Sequence, residues 1–218
     1  MRRSLPLILA GAVLAATAGP AFAEKSAQAT KVLPFLDKFL KVPPAERSRL
    51  KLAYAVRHDG QMLPNLKAAL VERGGARTPL PVDGEGYFER LPTLAQLEGD
   101  PAIVFDVPEG WKMGTMMTFG TQLKPAQDYD ARELAATVAE ANTVIGKAAG
   151  VAAFMAPKMT GVVFPKAESG VVVFANGRSA PLPKAQEFPY FRPADHQGAV
   201  RVKLTRSPTK VAFYDGKK

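Results

Sequence analysis

The chain has 218 residues, 47% hydrophobic and 22% charged, ordinary values for a protein with a packed core; 29 Lys and Arg against 20 Asp and Glu give a formal charge of +9. The absence of cysteine excludes disulfides, thiolate zinc sites, iron–sulfur clusters, c-type haem attachment and a cysteine nucleophile. Gly and Pro, 18 and 19 residues, stay below the roughly 25–30% of low-complexity chains, and the length allows one domain or two small ones.

Met1-Arg2-Arg3 is a positive start. An apolar run follows from Leu5 to Ala18, then Ala21-Phe22-Ala23, an A-x-A cleavage pattern, and charge returns at Glu24-Lys25. This is the pattern of a secretory signal peptide. Its apolar run, about 14 residues, is shorter than the ~20 residues a membrane-spanning helix needs. Cleavage between Ala23 and Glu24 removes 23 residues and two arginines, leaving 195 residues with a formal charge of +7. The residues after Arg2-Arg3 lack the rest of a twin-arginine pattern, which favours the general secretory route. The Ala-, Pro- and Arg-rich composition is bacterial in character, so the expected location is periplasmic or secreted. No later stretch is long and apolar enough to predict a transmembrane segment in the mature chain.

Val32, Leu33, Leu36, Phe39 and Leu40 recur at three- and four-residue spacing and predict a helix, with Pro34 in its first turn and Pro43-Pro44 beyond its end. Lys51–Arg57 alternates apolar and polar residues as a half-buried strand does, and so does Ala102–Val107. Asp130, followed three residues later by Glu133, is a capping-box-like start for a helix over about 131–148, with Leu134, Val138, Ala141 and Ile145 on one face. Thr160–Phe164 and Gly170–Phe174 are β-branched strands, and Val200–Leu204 alternates apolar with cationic residues. Asn176-Gly177 predicts a type I′ hairpin turn, with positive φ at both residues.

These elements come in the same order twice. Val71-Glu72-Arg73-Gly74-Gly75-Ala76-Arg77-Thr78-Pro79-Leu80-Pro81 and Val173-Phe174-Ala175-Asn176-Gly177-Arg178-Ser179-Ala180-Pro181-Leu182-Pro183 both read as strand, Gly turn, strand and P-L-P, 102 residues apart. Tyr87-Phe88 has its counterpart in Tyr190-Phe191, Ala102–Phe105 in Ala199–Val202, and each series follows a helix and a strand. The expected class is α+β: two tandem homologous halves, residues 24–125 and 126–218, each a helix packed on an antiparallel sheet with a Gly-turn hairpin. Paired β-sandwiches with connecting helices are the alternative.

Little in the sequence supplies catalysis. There is no G-x-S-x-G, no S-x-x-K and no phosphate-cradling glycine motif. His58 and His196, the only histidines, occupy dissimilar loop positions in the two halves. Asp83-Gly84-Glu85-Gly86 is a turn with two acids, short of the oxygens calcium takes. The expectation is therefore a binding or structural module of the bacterial envelope rather than an enzyme, without cofactor. The alternatives are a small periplasmic hydrolase using His58 or His196, and a copper-binding protein using the thioethers of Met113, Met116 and Met117 beside Trp111. Tyr87, Phe88, Tyr190, Phe191, Arg201 and Lys203 are the candidate binding residues. Rings and alternating cations together fit an anionic or amphipathic envelope component. Export argues against nucleic acid as partner.

Overall fold

The computed structural model describes residues 22–216; the predicted signal peptide lies, up to Ala21, outside the described residues. The chain begins with β1 (Phe22–Gln28) and two short helices, α1 (Ala29–Val32) and α2 (Leu36–Lys41). The long strand β2 (Leu50–His58) folds back as β3 (Gln61–Met62), and β4 (Ala68–Val71) and β5 (Arg77–Pro79) form a hairpin. After α3 (Leu94–Glu98) come β6 (Ala102–Pro108) and β7 (Met113–Thr121). β8 (Asp128–Asp130) leads into the long helix α4 (Ala131–Ala149) and a 3-10 stretch at Gly150–Met155. Next are β9 (Gly161–Val163), β10 (Gly170–Phe174), β11 (Ser179–Pro181), β12 (Lys184–Ala185) and β13 (Phe188–Phe191). A 3-10 turn at Pro193–Asp195 precedes β14 (Ala199–Leu204) and β15 (Ala212–Tyr214).

Strand outweighs helix, 37% against 23%, and the strand pairs are antiparallel, so the protein is a mixed α and β fold built on antiparallel sheets. A seven-stranded central sheet runs β12-β13-β9-β15-β7-β2-β3. Two four-stranded sheets accompany it, ordered β1-β6-β4-β5 and β8-β14-β10-β11. Helix α4 touches β2 and β9 of the central sheet and β8 and β14 of the second small sheet. Most of the buried apolar residues form one core cluster, from Ala29 to Val211.

Local chemistry accounts for α4. The Asp130 carboxylate accepts from the backbone N–H of Arg132 (2.7 Å) and Glu133 (3.2 Å), satisfying two of the donors that a helix start leaves over. Glu133 does not complete the capping box. It accepts instead from Arg49 Nε at 2.8 Å, and Glu140, two turns on, accepts from Arg49 Nη1 at 3.1 Å. Hydrogen bonds donated to both carboxylates raise the Arg49 pKa, and the double pair pins the start of β2 to the helix.

Two local expectations are corrected. The helix predicted from Val32 is broken at Leu33–Phe35: Leu33 leaves helical geometry at φ −120° and ψ 65°, and Phe35 reverses the chain at φ 66°. Pro34 is the cause, since a proline disfavours helical geometry in the residue before it and has no N–H to continue the ladder. The Asn176-Gly177 turn is not type I′. Phe174 N–H donates to the Arg178 carbonyl at 2.9 Å across a three-residue loop, and Gly177 carries the positive φ, 80°, while Asn176 does not. Such a loop is a type I turn closed by a left-handed glycine.

Candidate functional site

An apolar pocket of about 330 Å³ opens where α2, α4 and the central sheet meet. That is the low end of the ~300–1,000 Å³ typical of small-ligand sites. Leu52 on β2 forms its floor with Phe119, directly opposite in register, and with Met117 two residues along β7. One wall is α4, where Val144 and Ile145 are followed a turn later by Ala148 and Ala149, whose small side chains leave the space open. The facing wall is Phe39 of α2 with Phe35 ahead of it. Met155, Ala156 and Pro157 close the third side.

The walls are held by named contacts. Asn142 of α4 donates through Nδ2 to the Met159 carbonyl and accepts at Oδ1 from the Met159 N–H, both at 2.8 Å, so the segment after Met155 is clasped to the helix. Phe35 is the N-cap of α2 in a left-handed conformation and supplies no capping hydrogen bond. A bulky residue at positive φ is an outlier that costs about 1–3 kcal/mol. The residue stays 43% exposed at the pocket mouth, with the Lys38 ammonium 5.5 Å from the ring centroid. The lining is aliphatic, aromatic and thioether throughout, with no acid, base or nucleophile.

Beside the mouth, α4 ends at Gly150 (φ 55°, ψ −127°) and the chain turns outward. Val151 is 100% exposed, Phe154 85% and Met155 76%. Single exposed apolar residues are ordinary; here three stand within five residues beside an apolar opening.

The residues singled out in the sequence lie elsewhere. Phe88 and Phe191 are buried at 7% and 1% exposure and belong to the core, while Tyr87 and Tyr190 are half-buried. Tyr190 packs on Tyr214, ring centroids 4.6 Å apart. Arg201 and Lys203 are exposed on β14, but β8 sets Asp130 and Asp128 directly across from them, and Arg201 Nε donates to Asp128 at 2.8 Å. That hydrogen bond holds the Asp128 carboxyl below its ordinary range. The β14 cations thus face acids of their own sheet.

His58 and His196 are not brought into a catalytic arrangement. The His58 ring stacks on Trp111 (4.1 Å, 2° between planes), with Nδ1 3.0 Å from the Lys112 carbonyl and Nε2 3.3 Å from Asp59. His196 lies near parallel to the Phe191 ring in a cleft of about 370 Å³ whose lining holds no carboxylate or hydroxyl side chain. Asp83 Oδ1 is occupied by the N–H groups of Glu85 (2.8 Å) and Tyr87 (2.9 Å) in its own turn. Among the described residues no three His, Asp or Glu converge as for a metal. Met113 and Met117 share one face of β7, ~13 Å apart along the strand, and Met116 lies on the other, so the strand does not gather three sulfurs.

Fold and pocket together define a mixed α and β protein with an apolar recess open to the surface, whose lining carries no acid, base or nucleophile. The chain belongs to the DUF2987 family, described as a protein of unknown function, whose model matches residues 34–165, more than half of the chain. Every residue lining the apolar pocket, from Phe35 to Pro157, falls within that match. No curated protein and no solved structure matches the chain.

Sequence reasoning missed the pocket. The sign available was the uncharged run after Gly150, Val151 to Pro157, which follows a helix without any pattern that would bury it.

Proposed function

We propose that the protein is an exported binding module of the bacterial envelope that holds the apolar part of an amphipathic, anionic ligand in the pocket between α2, α4 and the central sheet. One observation carries this reading: an open recess of about 330 Å³ with a wholly apolar lining and Lys38 at its mouth. An acyl or other hydrocarbon chain fits such a lining, since burying apolar surface drives association without any directed hydrogen bond. A carboxylate or phosphate on the same ligand remains at the rim, within reach of Lys38. The lining holds no acid–base pair, so the ligand is carried and released unchanged.

The export part of the proposal rests on the signal-peptide pattern, with the mature chain starting at Glu24. The described residues contain no helix long and apolar enough to cross a membrane. The proposal includes two homologous halves, 24–125 and 126–218. What supports this is register. Leu70 pairs with Thr78 and Ile103, and Val172, 102 residues on, pairs with Ala180 and Val202. Ile103 pairs with Ala27, and Val202 with Tyr129. Tyr87 bridges to Ala55 as Tyr190 pairs with Val163. The pocket is then not a feature of either half alone, since it uses β2 and β7 from one and α4 from the other.

The test is titration of the mature protein with a fluorescent fatty acid. Wild type binds it; Ala148→Trp, which fills the recess from a half-exposed helix position, weakens it by about tenfold or more. Lys38→Glu weakens the fatty-acid probe and leaves a neutral alkyl alcohol probe unchanged. Absence of probe binding by wild type, or equal binding by Ala148→Trp, refutes the reading.

A further inference from the structure

We propose that Gly150–Met155 is a membrane-docking tip, which inserts Val151, Phe154 and Met155 into an anionic lipid surface and sets the pocket mouth against it. The docking stands on the tip's own exposure and charge; that it serves ligand exchange rests on the function proposed above.

Three side chains at a single turn carry the inference. Val151, Phe154 and Met155 stand 100%, 85% and 76% exposed. Elsewhere among the described residues, the exposed large hydrophobics are only Phe35, at the mouth of the same pocket, and Val171 on β10. The turn holds its own shape while pointing outward: Gly150 ends the helix at positive φ, Ala156 N–H donates to Ala153 at 3.1 Å, and the Asn142–Met159 clasp fixes the return. The protrusion is thus built into the fold.

Charge decides what the tip meets. From Ala141 to Ala167 the sequence contains no Asp or Glu, and its only charges are Lys147, Lys158 and Lys166. Lys147 is paired with Glu46. Lys158, three residues beyond Met155, is exposed, and Lys38 lies over Phe35. An apolar tip with cationic flanks is the arrangement of an interfacial anchor, in which apolar side chains enter the acyl boundary and lysines meet anionic headgroups. A protein partner fits less well: a standard interface buries about 800 Å² on each side of a broad patch, whereas a single turn of three protruding side chains offers a point. Pocket and tip adjoin, since Met155 both lines the recess and stands exposed beyond it. A lipid chain leaving the bilayer at the tip meets the pocket mouth directly.

The experiment uses the full mature chain with phosphatidylglycerol vesicles and with phosphatidylcholine vesicles. Wild type co-sediments with the first more than with the second, and less at high salt. Phe154→Trp, measured over the wild-type signal of Trp111, shifts its emission to the blue with phosphatidylglycerol and is quenched by acyl-chain-labelled lipid. Val151→Asp/Phe154→Asp, which leaves the pocket lining intact, lowers vesicle affinity by about tenfold or more and still binds the fluorescent fatty acid in solution. Ala148→Trp does the reverse, losing the fatty acid and keeping the vesicles. Sedimentation unaffected by the double aspartate variant, an unquenched Phe154→Trp, or no sedimentation with phosphatidylglycerol overturns the tip, as does burial of the tip only against a protein partner. None of these results touches the fatty-acid titration, so the two proposals fail separately.

Discussion

Gly161→Ala is the sharpest test of the central sheet. A methyl group there would lie 2.2 Å from the Phe191 carbonyl oxygen and 3.1 Å from Arg192 Cγ. The obstacle is backbone, so no rotamer change relieves it. Phe191 is held in register against Val162, and Gly161 is paired on its other side with Tyr214, whose carbonyl also accepts from Thr160 N–H at 2.7 Å. β9 therefore cannot retreat from β13 without separating from β15. Overpacking a core costs about 1–3 kcal/mol, and a clash with fixed backbone belongs at the upper end, about 3 kcal/mol. Against a total stability of ~5–15 kcal/mol this is a large loss. In urea, with m near 2 kcal/mol/M, the midpoint falls by about 1.5 M. Gly114→Ala is the control: it lies in β7, and an added methyl has nothing within 4 Å. Its stability stays within about 0.5 kcal/mol of wild type, a midpoint change of about 0.25 M or less. A Gly161→Ala protein equally close to wild type, at unchanged m, refutes the sheet packing argued here.

Asp128 sets a pH dependence. Its hydrogen bond from Arg201 lowers the folded pKa below the unfolded one. The pair therefore stabilises fully above the ordinary carboxylate value of about 3.9, and that contribution is lost as pH falls through the depressed folded value. Both partners are more than a third exposed, so solvent screens the pair and the contribution is small. Urea midpoints measured from about pH 5 down to about pH 2 show a shallower acid limb in Asp128→Asn, and an unchanged limb contradicts the assignment. Exported protein is expected to begin at Glu24, which keeps the β1 pairing from Glu24–Asp106 to Gln28–Ala102 and gives up only Phe22–Pro108 and Ala23–Val107. Intact mass spectrometry checks this, and a retained Met1 terminus refutes it.

What the sequence made legible is what neighbouring residues decide among themselves. Helix α4 carries its cap and its apolar period within one stretch, and the structure ends it one residue beyond the expected 148. The strands from 51, 102, 170 and 200 were legible for the same reason, as period-2 or β-branched runs between turn residues. The break at Pro34 could have been anticipated: the apolar period through Val32, Leu33 and Leu36 favoured one helix, but the ring of Pro34 constrains Leu33, and the constraint prevailed. The tyrosine–phenylalanine pairs carry a further local constraint. Adjacent strand residues point to opposite faces, so one of each pair had to be inward, and Phe88 and Phe191 are. Arg201 and Lys203 meet Asp128 and Asp130, about 70 residues earlier in the chain, only through the β8–β14 pairing, which no local pattern reveals.

The pocket was illegible for a stricter reason. Phe35, Leu52, Met117, Val144 and Pro157 come from five separate stretches, and each is locally an ordinary apolar residue. What marks the place is a set of local rules broken together. An aromatic residue is held at positive φ without a cap, two alanines on α4 leave space unfilled, and the chain beyond Gly150 presents Val151, Phe154 and Met155 to water. Each feature by itself lowers stability or leaves it unimproved. A sequence selected for folding alone has no reason to collect them around one opening, and the binding function proposed above gives a reason for each. On the function proposed above, the left-handed backbone at Phe35 would keep the mouth open, the small residues would leave room inside, and the apolar rim would let a hydrocarbon chain pass between pocket and surroundings without being exposed to water.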